Sequence, residues 1–199
     1  MLSIVLHSIR VSDKSTILHL LTRDSGKMIY TIYGRGNGKN ILFTPLTILD
    51  IEPRQQAKST IPTLRDYSLA YVPEQLQNDI RRTTCALFIA EILYRTLFEP
   101  YTDEPLFTFV RDTVINLDTS QCPTGVHVKF LIDYISYLGF APDWSSPDNS
   151  ELHRLVSLPE PCSRADRHAQ LDELMIYYHR HLPDFVTPKS LDVLKQVFD

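Results

Sequence analysis

At 199 residues, 43% of them hydrophobic and 19 of them Phe or Tyr, the chain can build a real core as one large domain or two small ones. No apolar run approaches the ~20 residues needed to span a bilayer. Cys85, Cys122 and Cys162 stand singly, which argues against a disulfide framework or a zinc site, and the net charge of −4 divides into +3 over residues 1–75 and −7 over the rest.

The opening MLSIVLHSIR has neither the basic leader nor the small-residue cleavage site of a secretory signal, so a cytoplasmic protein is expected. The first ~75 residues read as short strands separated by turn signals. LSIVLHSI (2–9) is β-branched and partly alternating, and STILHLLTR (15–23) follows the turn Ser12-Asp13-Lys14. GKMIYTIYG (26–34) follows Asp24-Ser25-Gly26. ILFTPLTILDIEP (41–53) contains Pro45, which is expected at a bulge or edge. TLRDYSLAYV (63–72) makes a fifth strand. Five strands with no room for crossover helices predict a small closed barrel.

After Pro73 the period changes. NDIRRTTCALFIAEILYRTLF (78–98) carries apolar residues at helical spacing with a wide buried face. Asp103 caps a helix over 104–117, with Pro105 in its first turn. A helix over 124–138 stops at Gly139. After the polar break PDWSSPDNS (142–150), helices are predicted over 151–158, 163–182 and 189–198. The fold class is therefore α+β and multidomain. A five-stranded OB-type barrel (1–75) is expected to be followed by an α-helical bundle domain (76–199).

Three of the six glycines fall in GRGNGKN (34–40), with two cations and no acid. A nucleotide-binding phosphate loop requires Gly at position 33 and a hydroxyl at position 40, where Tyr33 and Asn40 stand. A dinucleotide fingerprint requires a third glycine where Lys39 stands. A tight turn explains the glycines and Asn37 but not Arg35 and Lys39. The flanks must choose between a plain turn and a basic finger for a polyanion.

The seven histidines show no ligand spacing; His179 and His181, two apart on a helix, do not face one ligand. No serine, histidine and acid are arranged for catalysis, so neither an enzyme nor a metal or cofactor is expected. The N-terminal cations are better placed. Arg10 and Lys14 bracket the first turn, Arg23 and Lys27 the second, and Arg35 and Lys39 lie in the glycine loop. They are either scattered solvated charge or a lining of one or both barrel ends. Five-stranded barrels use a strand face and flanking loops to hold single-stranded nucleic acid. Tyr30, Tyr33 and Phe43 are the candidate stacking rings. Simple alternation puts Tyr30 and Tyr33 on opposite faces, so at most one is core.

The order of several strings resembles the RecO family of bacterial DNA-repair recombination mediators. IVLHSIRVSDKSTILHLLTRDSGKMIYTIYGRG resembles the family's opening, and FTPLTILDIE its Pro-Leu strand. ALFIAEILYRTLFE with LFTFV resembles its first helical pair, FLIDYISYLGFAP its Leu-Gly-Phe-x-Pro segment, and YYHRHLPDFVTPKSLDVLKQVF the close of one branch. The cysteine cluster that binds zinc in many relatives is missing, so no metal is carried over. The chain is also short between Trp144 and Glu151, where relatives have a further segment.

The resemblance implies a non-catalytic, nucleoid-associated protein. It would bind single- and double-stranded DNA, promote annealing, and with RecR help load RecA on strands coated by single-strand-binding protein (SSB). Arg10, Lys14, Arg23, Lys27, Arg35 and Lys39 would contact DNA, and GRGNGKN would be a DNA-contacting finger between the third and fourth strands. The helical region would take the acidic, Phe-terminated SSB tail in a greasy pocket rimmed by cations. Candidates are Arg81, Arg82 and Arg95 on the first long helix, and Arg164, Arg167 and Arg180 on a later one. Pairing of each with a neighbouring acid is the plainer alternative. A protein-interaction scaffold, favoured by the acidic net charge, and an RNA-binding barrel are the competing functions.

Overall fold

The computed structural model describes residues 1–33, 42–54, 61–98, 100, 102–158 and 163–198. GRGNGKN, with Arg35 and Lys39, lies outside the described residues, as does Cys162.

Strands β1 (Leu2–Ser12), β2 (Ser15–Thr22), β3 (Gly26–Tyr33), β4 (Ile48–Arg54) and β5 (Thr63–Leu69) close into a barrel in the order β1-β2-β3-β5-β4. All neighbours are antiparallel except β3 and β5, which meet in parallel at Thr31 and Thr63. This is the expected OB-type architecture, with no crossover helix between the first four strands among the described residues. Alternation fills the inside: Val5, Leu18, Leu20, Tyr30, Ile32, Leu49, Ile51 and Leu64 form the barrel core. Tyr30 is accordingly 3% exposed and Tyr33 68% exposed, the opposite faces that parity requires.

The fourth strand is shorter than predicted. It begins at Ile48, and Pro45 lies in the turn before it. Proline lacks the N–H that a ladder needs. Pro53 sits at the strand's bulge instead. Leu46, at φ 63°, holds a left-handed backbone in that turn. Its side chain is fully buried, and its N–H donates to the Val5 carbonyl at 2.7 Å. That seating offsets a strain of about 1–2 kcal/mol.

The helices follow as α1 (Ile80–Thr96), α2 (Glu104–Thr119), α3 (Val126–Tyr137), α4 (Ser150–Val156), α5 (Arg164–His181) and α6 (Ser190–Val197). Asp103 caps α2 by accepting from the Leu106 N–H, and Ser163 with Asp166 makes a capping box on α5. Gly139, at φ +82°, ends α3 in the left-handed conformation that glycine adopts without cost. Phe88, Ile89, Ile92 and Leu93 of α1 are fully buried, each stabilising by about 1.5–3 kcal/mol.

One apolar cluster runs through both halves: Ile4, Leu6, Leu21, Leu46 and Ile48 from the barrel region pack with the helical core. Between β5 and α1, buried Asp118 fixes the connecting segment. Its carboxylate accepts from the Tyr71 hydroxyl and from the N–H groups of Glu74, Gln75 and Leu76. Beside it, Arg82 donates to the carbonyls of Leu117, Asp118 and Ser120 and so satisfies the end of α2.

Candidate nucleic-acid interface

The strand register sorts the barrel's outer surface into rows. In β2 and β3 the odd residues point outward, because the even ones fill the core. Successive rows are Leu21 with Lys27, His19 with Ile29, Ile17 with Thr31, and Ser15 with Tyr33. From β1, His7 joins the His19 row and Ile9 the Ile17 row.

The lower rows are covered by α1. The Tyr94 ring lies 4.9 Å from both the His7 and the His19 ring centroids. Lys27 sits 4.7 Å over the same ring and donates to the Tyr94 and Leu97 carbonyls at 2.8 and 3.0 Å. A cation on the last carbonyls of a helix satisfies orphan acceptors and opposes the negative end of its dipole. The upper rows are open. Ile9 is 41% exposed, Ile17 and Thr31 are half-buried, and Tyr33 stands at the rim.

The cations divide the same way. β1 runs up and β2 down, so the β1–β2 turn and the end of β3 share the upper end of the barrel, where Ser12, Ser15 and Tyr33 are neighbours. Arg10 and Lys14 lie there, both exposed, with Arg10 donating to Asp13 at 2.8 Å. Arg35 and Lys39 follow Tyr33 in the sequence and lie outside the described residues. Arg23 and Lys27 lie at the opposite end. Arg23 pairs with Asp24, whose carbonyl accepts from Thr102 just ahead of α2, and Lys27 is committed to α1. Sequence reasoning missed Arg54, exposed at the end of β4 and linked through Thr63 to Thr31. It also missed Ile9 and Ile17: Ile17 follows from the alternation of β2, but Ile9 shares its parity with the buried Val5 and is turned outward only by the register shift between Val5 and His7.

The β4–β5 side carries both signs, with Arg65 donating to Glu52 at 2.9 Å. Glu52 stands opposite Asp66, and Asp50 takes the Met1 ammonium at 2.6 Å.

The six helical arginines separate as well. Arg82 is buried at the end of α2, with Asp79 3.5 Å away. Arg95 pairs with Glu91 at 2.6 Å. Burial would raise the Glu91 pKa. Hydrogen bonds from the Ser190 hydroxyl and N–H, from Arg95 and from the Lys189 N–H prevail and hold it at about 2. Arg81 is exposed and lies 6.0 Å over the Phe198 ring. Phe198 also packs on His127, whose charge Arg167 and His168 oppose, so Arg81 and Arg167 approach one end of the bundle. Arg164 and Arg180 are exposed near the two ends of α5.

Cys85 and His127 approach at 3.5 Å, but burial pushes the thiol up to about 12 and the imidazole down to about 3. Both are neutral at pH 7, and neither reaches solvent. Among the described residues no group of three or more His, Cys, Asp or Glu could hold a metal ion, and no helix is long and apolar enough to cross a membrane.

The family described as "Recombination protein O C terminal" matches residues 77–150. Over nearly the whole chain the protein is similar to proteins named DNA repair protein RecO. The one from Flavobacterium psychrophilum is 29% identical, covering 98% of this chain and 97% of the relative. That from Flavobacterium johnsoniae is 27% identical with the same coverage, and that from Porphyromonas gingivalis 28%, covering 99% and 98%. The first alignment spans 231 positions against 199 residues here, so that relative carries internal residues this chain lacks.

Proposed function

We propose, from the family match over residues 77–150 and the similarity to proteins named DNA repair protein RecO, that the chain is a RecO-family protein and a non-catalytic DNA-binding mediator of recombinational repair. Single-stranded DNA crosses the open upper rows of the barrel. Its bases pack on Tyr33, Thr31, Ile17 and Ile9, and its phosphates meet Arg10, Lys14, Arg54 and the loop cations Arg35 and Lys39. The observation that carries this reading is the exposed apolar and aromatic strip ending at a cation-bearing rim. Bases need a surface that is apolar and flat, phosphates need mobile cations, and neither contact reads sequence. The same cations serve duplex DNA through its phosphates, and an annealing activity follows from holding two strands in turn.

The partners are RecR and SSB, with RecA loading on SSB-coated strands as the outcome. For the acidic SSB tail, the exposed arginines Arg81 and Arg180 are better placed than Arg82, buried at the end of α2, and Arg95, paired with Glu91, while Arg164 and the half-buried Arg167 lie in the first turn of α5. Phe198 and its surroundings supply the apolar contact at the Arg81 end.

Titration of the full chain with labelled single-stranded DNA, bare and SSB-coated, over a range of salt tests the reading. Binding that weakens steeply with salt is expected. No binding at low salt would leave the scaffold alternative, and a marked preference for RNA would identify an RNA-binding barrel.

A further inference from the structure

One row below Ile9 and Ile17 on the same outward face come His7 and His19, and there α1 rises over the sheet. Between barrel and bundle at this step lies a cavity of about 550 Å3. Leu6, Pro45, Leu87 and Val193 form its apolar walls; Leu87 and Val193 are 45% and 49% exposed at its mouth. His7 contributes an exposed ring, backed by Tyr94. Lys189 and Arg95 bring cations. The Lys189 ammonium has no partner among the described residues, whereas Glu91, the acid in the wall, is saturated by Arg95, Lys189 N–H and Ser190.

We propose that this cavity receives an unstacked nucleotide of a single strand that has crossed the open rows of β1–β3, with His7 and the apolar walls against the base and Lys189 at the phosphate. The proposal rests on the reading of those rows as a single-strand platform. Volume, an apolar slot and a cation at the mouth suit a nucleotide. A peptide with an apolar end and a carboxylate shares part of that chemistry, and continuity decides between them. Adjacent outward rows are two residues apart along a strand, about 6.8 Å, which is the reach of one extended nucleotide. A strand following Tyr33, Ile17 and Ile9 arrives at His7 in register, and α1 bars any further travel along the sheet. The cavity is where the next base can go.

The test is fluorescence anisotropy of the full chain with labelled oligothymidylates of increasing length. Val193→Trp, which fills the mouth from an exposed position, should leave short oligomers that cover only the rows unaffected. It should weaken those long enough to reach the cavity by about tenfold, the effect of losing one base contact. Lys189→Glu should weaken the same long oligomers and lower the salt slope by about 0.7. If Tyr33→Ala weakens binding at every length while both cavity variants behave as wild type, the cavity proposal fails and the platform stands. If the wild-type chain binds no oligomer, both fail. If the cavity variants lose binding of an acidic, apolar-ended peptide and keep full DNA binding, the cavity is a peptide site and the proposal is overturned.

Discussion

The lower and upper halves of the barrel's outer face are made by the same three strands with the same alternation, yet they have opposite fates. Below, Leu21, His19 and Lys27 are taken up by α1, with His7 at the edge of the covered area; above, Ile9, Ile17, Thr31 and Tyr33 meet solvent. A cation's place along the chain therefore does not determine its use. Lys27 and Lys14 each lie beside a hairpin turn, but one ends a helix and the other projects freely because successive turns lie at opposite ends of the barrel.

The contrast between covered and open halves can be probed residue by residue. The largest effect is expected at Asp118, which holds the segment that brings the bundle onto the sheet. Asp118→Ala strands three N–H groups and the Tyr71 hydroxyl in a buried site and should cost about 3–5 kcal/mol in urea unfolding. Because the apolar cluster is continuous, the transition should also be single, with barrel and bundle signals coinciding. A loss below about 1 kcal/mol, or two separated transitions, would show that the covered half is not welded as described.

Next in size is the comparison of Lys27→Met with Arg23→Met, two cations at the same end. Lys27 serves two helix-terminal carbonyls, so its loss should cost about 1.5–3 kcal/mol. Arg23 pairs with Asp24 at the surface, and its loss should stay within about 0.5 kcal/mol. Equal losses in thermal or urea melts would erase the distinction between a committed and a solvated cation.

A smaller, pH-dependent effect comes from Glu91, which joins α1 to the start of α6. Its folded pKa, about 2, lies below the unfolded value near 4.3, so its contribution is complete above the unfolded value and is lost as pH falls toward 2. Asp118 is shifted the same way: burial raises its pKa, but the Tyr71 hydroxyl and three N–H groups lower it more. Melting temperature should therefore fall between about pH 4.3 and 2, and Glu91→Gln should shallow that fall. An unchanged acid limb would contradict the assignment.

Much of the fold was legible because it is written locally. Turn residues, the Asp103 cap, the Gly139 stop and the switch of period after Pro73 each depend on a few neighbours. Tyr30 and Tyr33 were separable by parity alone. What was not legible depends on contacts between distant segments. Lys27 meets residues about 70 positions away, and nothing near it in sequence marks a helix end. Arg82 carried a readable signal, since it lies three and four residues before Cys85 and Ala86 on the buried stripe of α1, but its carbonyl partners on α2 did not. Pro45 was placed within a strand because the apolar run continues across it; the left-handed turn at Leu46 breaks the run only in three dimensions.

The central claim is that single strands lie on the open half of the barrel face. The most direct measurement is the affinity and salt slope for a labelled single strand of the full chain, of Tyr33→Ala, of Arg35→Ala with Lys39→Ala, and of Arg23→Ala. Tyr33→Ala should lose about 1–3 kcal/mol of binding with its slope unchanged. The loop pair should lower the slope by about 1.4 for a single strand, and Arg23→Ala should match wild type. Full binding by Tyr33→Ala and the loop variant, or a loss confined to Arg23→Ala, would place the strand on the other side of the barrel and contradict the account.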